Sequence, residues 1–132
     1  MTAQACRFFL DTKSGVPVYR QIIDQVLVAV ASGSLNPGDQ LPTVRQLAVD
    51  LSVNPNTVLR AYKELEIRGF LSTQQGSGTF ISHAPEVPVD EAKRQERLTQ
   101  IVAQFVARAA GEGFSVRELA ERIGEMIAEH RQ

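Results

Sequence analysis

Two turn-forming segments divide the first half of this chain into three helical patterns. The first is SLNPGDQLP, from Ser34 to Pro42, and the second is SVNPN, from Ser52 to Asn56. A helix cannot run through such a cluster, because proline has no backbone N–H to donate and its ring clashes with the preceding turn. The chain must therefore turn at both places.

Helical patterns flank both turns. From Val16 to Ser32 apolar residues recur at steps of three and four, which predicts an amphipathic helix. Thr43 is suited to cap a second helix, with the sequence TVRQLAVDL, and Asn54 to cap a third that runs to about Arg68. About three or four residues separate the second helix from the third, which is the spacing of a helix-turn-helix.

A two-stranded β-hairpin is predicted directly after the third helix, in the segment FLSTQQGSGTFI. Two short runs rich in Phe, Leu, Thr and Ile flank two glycines, which permit the positive φ angles of a tight reversal. The apolar residues expected to close the helical core from below are Phe70, Leu71, Phe80 and Ile81. Three helices followed by such a hairpin make a winged helix-turn-helix, so residues 1–82 are predicted to form one domain.

A second helical region follows a Pro-containing linker, residues 83–90. One helix is predicted from about Glu91 to Ala110, and a second one begins after Ser115, where Glu118 holds the capping-box position. Two such helices bury too little surface to be stable alone, so residues 91–132 are expected to dimerise with the same region of a second copy. The alternative is that these helices fold back on the winged domain of their own chain. The fold class is thus mostly α with a small β-hairpin.

Composition excludes several classes of protein. The longest apolar run, from Val26 to Ala31, is six residues, far below the roughly 20 that a membrane-spanning helix needs, so no membrane association and a cytoplasmic location are expected. One cysteine and two histidines form no metal-ligand spacing, and no metal or cofactor is expected. Acidic residues are scattered beside Arg and Lys and no serine has a nucleophile's setting, so the chain is not expected to be an enzyme.

The net charge of the chain limits how it could bind a nucleic acid. The whole chain carries a net charge of −1, and residues 1–83 carry seven Lys or Arg against six Asp or Glu. A general basic surface is therefore missing. Binding to DNA would depend on a few placed cations and on dimerisation.

The segment from Pro17 to Ile81 resembles the GntR family of bacterial transcription regulators. Three blocks carry the resemblance: GSLNPGDQLPTVRQLA, NPNTVLRAYKELEIRG and GSGTF. The tail of roughly 50 residues leaves no room for a large ligand-binding domain or for an aminotransferase-like domain with pyridoxal phosphate, and it resembles the short YtrA-type branch. The resemblance implies a dimer that is commonly a repressor, without pyridoxal phosphate.

The start of the third helix is the predicted base-reading segment, because the second helix of a helix-turn-helix enters the major groove by its amino-terminal residues. Asn56 can pair with adenine and Arg60 with guanine, while Thr57 can contact a phosphate or a thymine methyl. The alternatives are that Asn56 and Thr57 cap the helix and that Arg60 is merely solvated.

Phosphate contacts are predicted on both sides of this helix. The family block places an arginine at Arg45, where a phosphate contact would hold the protein in register. Lys63 adds a second contact or is a solvated cation. In the hairpin, Ser77 and Gly78 let backbone N–H groups approach a phosphate or the minor groove. The alternative is that the glycine is needed only for the turn.

These residues predict a sequence-specific DNA-binding regulator, expected to be a repressor, that binds an inverted-repeat operator as a homodimer. Its half-sites would lie about one helical turn or a little more apart. The alternative function is a winged-helix module for protein interaction, without sequence-specific DNA binding. The sequence does not identify a small-molecule effector, the genes that this protein would regulate or the operator that it would bind.

Overall fold

The computed structural model describes residues 7–83 and 90–129. In chain order the elements are α1 (Val18–Ser32), β1 (Gln40–Leu41), α2 (Val44–Leu51), α3 (Pro55–Ile67), β2 (Leu71–Gln74), β3 (Gly78–Ile81), α4 (Glu91–Gly111) and α5 (Val116–Glu129). The chain divides into two compact units, Met1–Ala84 and Pro85–Gln132. Within the described ranges, no helix has the length and apolar character needed to cross a bilayer.

The first unit has one apolar core, to which α1, α2 and α3 each contribute one face. Its buried side chains recur at helical spacing, as the sequence predicted, and include Ile22, Ile23, Val26, Leu47, Val58 and Leu65. Residues 52–54 alone separate α2 from α3, so the predicted helix-turn-helix is confirmed. The tight turn places Ser52 in the left-handed region, at φ 56°.

The predicted helix caps are confirmed. Thr43 accepts a hydrogen bond from the N–H of Gln46 at 3.0 Å, and the Gln46 side chain accepts one from the N–H of Thr43 at 3.0 Å. Asn54 caps α3 by accepting from the N–H of Asn56 at 2.8 Å. These caps satisfy donors that the first helical turn leaves without partners.

The hairpin belongs to a sheet with one strand more than predicted. β3 lies between β1 and β2, and both neighbours run antiparallel to it. The predicted two-stranded hairpin of β2 and β3 is therefore confirmed, and β1 is a third strand that the sequence did not predict. β1 is only two residues long and follows directly on the Pro-Gly turn, so it is too short to show an alternating pattern.

One predicted core residue lies elsewhere. Leu71 and Ile81 are buried and Phe70 packs against the core, but Phe80 is half-buried and outside the core cluster. Successive strand residues point to opposite faces, so a strand that buries Ile81 turns Phe80 away from the helices.

The segment before α1 is bound along that helix by two glutamines. Gln25 accepts from the N–H of Phe9 at 2.9 Å and donates to its carbonyl at 2.6 Å. Gln21 pairs in the same way with Asp11, at 2.8 and 2.9 Å. Four residues of helix and two residues of extended chain both span about 6–7 Å. The side-chain amides of Gln21 and Gln25, four residues apart on α1, therefore reach backbone groups two residues apart in the preceding segment.

The second unit contains α4 and α5, which pack on each other. α4 begins after Asp90, whose carboxylate caps the helix by accepting from the N–H of Lys93 at 3.2 Å. Residues 84–89 of the predicted linker lie outside the described residues. Ser115 and Glu118 form the predicted capping box at the start of α5.

A set of apolar side chains on α4 and α5 remains exposed. Six of them are 47% to 50% exposed although α4 and α5 pack on each other, and they share the predicted helical spacing: Leu98, Ile101, Val102, Phe105, Ile123 and Ile127. This set is named the tail face below.

Candidate nucleic-acid interface

The outer face of α3 collects three of the predicted site residues. Asn56, Arg60 and Lys63 are exposed, and they line one shallow groove with Leu59, Glu64 and Ile67. Their spacing of three and four residues places them on one side of the helix. This set of six residues is named the α3 face.

Capping does not occupy the side chain of Asn56. The cap of α3 is the side chain of Asn54, which accepts from the backbone N–H of Asn56. Thr57 donates its N–H to the Asn54 carbonyl at 2.9 Å, and it is half-buried. The amide group of Asn56 is therefore available for an external contact.

Arg60 is stacked on an aromatic ring of another helix. Its guanidinium carbon lies 3.8 Å from the centroid of Tyr19, the second residue of α1. This is well inside the distance of about 6 Å at which a cation and a ring attract each other. Arg60 is thus more than a freely solvated side chain.

One acidic residue of the α3 face is paired. Glu64 lies 3.7 Å from the guanidinium of Arg68, one helical turn further on. An exposed pair of this kind adds little stability, but it offsets a negative charge that would otherwise repel phosphates.

Arg45 is the second residue of α2 and is exposed. Across residues 7–83 and 90–129 it forms no ion pair, so its guanidinium remains available to an anion. Tyr62, by contrast, is 5% exposed and donates its hydroxyl to the carbonyl of Pro42 at 2.7 Å. Its place in the core agrees with a packing role and excludes a stacking platform for bases.

The hairpin tip, residues 75–77 between β2 and β3, is named the wing. Ser77 donates its N–H to the carbonyl of Gln74 at 3.0 Å, and its own carbonyl accepts from Nε2 of Gln40 at 3.0 Å. The predicted approach of the Ser77 N–H to a phosphate therefore competes with the turn itself. The hydroxyl of Ser77 has no partner among the described residues.

Gly78, just after the wing, cannot be replaced without strain. Its φ is +123°, and a Cβ at this position would lie 2.5 Å from Nε2 of Gln40. A side chain here would displace this amide from its present position, where it donates to the Ser77 carbonyl.

Comparison with known proteins places the chain in a family. The family model of bacterial regulatory proteins, gntR family, matches residues 18–81. The chain is 38% identical over 120 residues to the HTH-type transcriptional repressor YtrA of Bacillus subtilis, and the match covers 91% of this chain and 92% of YtrA. The chain belongs to the GntR family. The predicted resemblance to the short YtrA-type branch is confirmed, because the similarity to YtrA extends through the tail.

Solved structures are similar to this GntR protein over different lengths. A transcriptional antiterminator from Listeria monocytogenes EGD-e matches with a TM-score of 0.66 and 30% identity, covering 92% of each chain. The DNA-binding domain of AraR, solved in complex with operator ORX1, matches with a TM-score of 0.50 and 27% identity, covering 57% of this chain and 93% of that one. The winged helix-turn-helix fold of the GntR protein is thereby confirmed.

Two residues of the site were missed by the sequence analysis. Tyr19 supports Arg60 and Gln40 supports the wing, but each acts on a residue about 40 positions away in the sequence. The apolar spacing of α1 identifies the core positions Ile22 and Val26, and nothing in that spacing links Tyr19 to Arg60.

Proposed function

We propose that this GntR protein is a sequence-specific DNA-binding regulator that represses transcription as a homodimer on an inverted repeat. The observation that carries the proposal is the α3 face, where Asn56 and Arg60 stand exposed at the capped start of the second helix of a helix-turn-helix. The operator complex of the similar AraR domain supports it. In this proposal the protein catalyses no reaction and acts in the cytoplasm.

Bases are read by α3 in this proposal. Asn56 pairs with adenine and Arg60 with guanine, since each side chain offers the two hydrogen-bonding groups that match those base edges in the major groove. Thr57, half-buried beside them, contacts a phosphate or a thymine methyl through its exposed part.

Phosphates are held by residues of three elements. Arg45 on α2 and Lys63 on α3 supply cations. In the wing Ser77 supplies its hydroxyl, and Gly78 at the start of β3 lets the backbone come close. Such contacts fix orientation and carry no sequence information of their own. They suit a chain whose net charge is −1, because only a few positions need to be cationic.

Dimerisation is assigned to the tail. Residues 1–82 form the DNA-binding domain, residues 83–90 a linker and residues 91–132 the dimerisation region. The tail face leaves large apolar side chains about half exposed, and burial against a second copy removes this surface from water. Two linked heads bind two half-sites far more tightly than one head binds one.

The test is selection of duplexes from a random pool by the purified full chain at low ionic strength. The proposal predicts enrichment of a sequence with twofold symmetry, whose half-sites lie about one helical turn or a little more apart. Enrichment of no sequence would favour the alternative function, a protein-interaction module.

A further inference from the structure

Tyr19 occupies an unusual place for an aromatic residue at the start of a helix. Its ring packs against the edge of the apolar core and is half-buried. Two arginines also lie near this ring. The guanidinium carbon of Arg60 is 3.8 Å from the ring centroid, and that of Arg20 is 5.9 Å from it. The core fixes the ring, and the ring in turn fixes Arg60.

Stacking restricts a side chain without consuming its donors. A guanidinium is planar, and its N–H groups lie in that plane, so contact through one face leaves the edge free for a bidentate partner. Across the described residues Arg60 forms no ion pair or hydrogen bond that would use this edge. The geometry therefore orders Arg60 and keeps it able to bind.

We propose that Tyr19 is a positioning residue for base recognition: its ring holds the guanidinium of Arg60 on the α3 face in an orientation from which it binds guanine. The proposal rests on the proposed function and adds a determinant of specificity on α1, outside the helix-turn-helix. Arginine loses much rotamer freedom when it binds a base, and Tyr19 removes part of that loss before DNA arrives.

The first test measures this ordering in the free full chain, without DNA. NMR signals of the Arg60 side-chain protons are expected to carry a ring-current shift, which persists in Tyr19→Phe and disappears in Tyr19→Leu. Leucine keeps an apolar group against the core while removing the aromatic face. Identical Arg60 signals in wild type and Tyr19→Leu would overturn the stacking and the proposal with it.

The second test is a double-mutant cycle on the duplex that the wild-type chain selects. Tyr19→Leu is expected to weaken binding about 2- to 5-fold and to relax the preference for guanine. Tyr19→Phe, which restores the ring without the hydroxyl, is expected to recover the wild-type affinity. In the Arg60→Ala background, Tyr19→Leu is expected to cause no further loss.

Each other outcome has a distinct meaning. An equal loss from Tyr19→Leu in both backgrounds would overturn positioning, as would a loss from Tyr19→Phe as large as that from Tyr19→Leu, which would indicate a phosphate contact through the hydroxyl. If Arg60→Ala binds the selected duplex like wild type, Arg60 does not read a base, and the proposal that Tyr19 positions it for this role fails. The ring-current shift of Arg60 in the wild-type chain would be unaffected by this result. If no duplex is selected, the proposed function itself fails.

Discussion

The guanidinium of Arg60 stacks on the ring of Tyr19 at 3.8 Å, which joins the exposed face of α3 to the first turn of α1. α3 thus contacts α1 through this pair as well as through the core beneath it. Because of this contact, the Arg60 side chain is expected to be more ordered than that of an arginine free in solvent.

Arg60→Ala is expected to weaken binding to the selected operator by about 1–3 kcal/mol per half-site and to relax preference at one base pair of each half-site. The reason is the loss of two hydrogen bonds to a base edge. Affinities for a set of operators with single base changes, measured by fluorescence anisotropy, check this prediction.

Arg45→Ala is the matched control for a phosphate contact. It is expected to weaken binding to every duplex alike and to make the slope of log affinity against log salt less steep by about one per half-site, or about two for the dimer. Loss of base preference in Arg45→Ala, with uniform weakening in Arg60→Ala, would reverse the two assignments.

Gly78→Ala is expected to lower the free energy of unfolding by about 1–2 kcal/mol and to weaken DNA binding. A side chain at φ +123° is strained, and its Cβ would displace the Gln40 amide from the wing. Urea denaturation and a gel shift measure the two effects. Adding Gln40→Ala removes the collision but not the strain, so the double variant should recover only part of the stability; a single variant as stable as wild type would contradict the geometry.

Phe105→Glu is expected to produce monomers at concentrations at which the wild type is a dimer. The substitution places a charge in the tail face, where burial of an unpaired carboxylate is unfavourable. Analytical ultracentrifugation measures the change, and operator affinity should fall by up to about 100-fold because the second half-site no longer adds to binding.

Ala107→Glu is its control, since Ala107 is exposed on the side of α4 opposite Phe105 and receives the same charge. It should remain dimeric. A chain limited to residues 1–83, which contain the whole first core, should bind as weakly as Phe105→Glu. Equal affinity of this short chain and the full chain would place dimerisation elsewhere or make it unnecessary.

Ser52→Gly is expected to stabilise the first unit by about 0.5–1 kcal/mol, because glycine adopts φ 56° without the cost that a Cβ brings. Ser72→Gly, in the extended strand β2, should instead destabilise it. Urea denaturation compares the two variants. Operator affinity should stay unchanged in Ser52→Gly, and a loss of stability there would show that the left-handed turn is not strained.

Much of the fold was predictable because local chemistry determines it. Thr43, Asn54 and Ser115 are capping residues placed directly before apolar helical patterns, and each caps its helix in the structure. Three residues of the α3 face, Asn56, Arg60 and Lys63, were predictable in the same way, since residues three and four apart on a helix share one side.

What escaped the sequence analysis depends on distant partners. β1 is two residues long and exists as a strand only because β3 pairs with it. The hydrogen bonds of Gln25 with Phe9 and of Gln21 with Asp11 form only because a helix and an extended segment lie side by side. Phe80 was assigned to the core by its hydrophobicity, whereas the alternation of the strand decides which face it takes.

The most direct measurement is the affinity of the purified full chain for its selected inverted repeat, compared with a scrambled duplex of the same base composition. The account predicts binding at least about 1,000-fold tighter to the inverted repeat, with two chains per duplex. Equal affinity for the two duplexes, or no binding to either at low ionic strength, would contradict it.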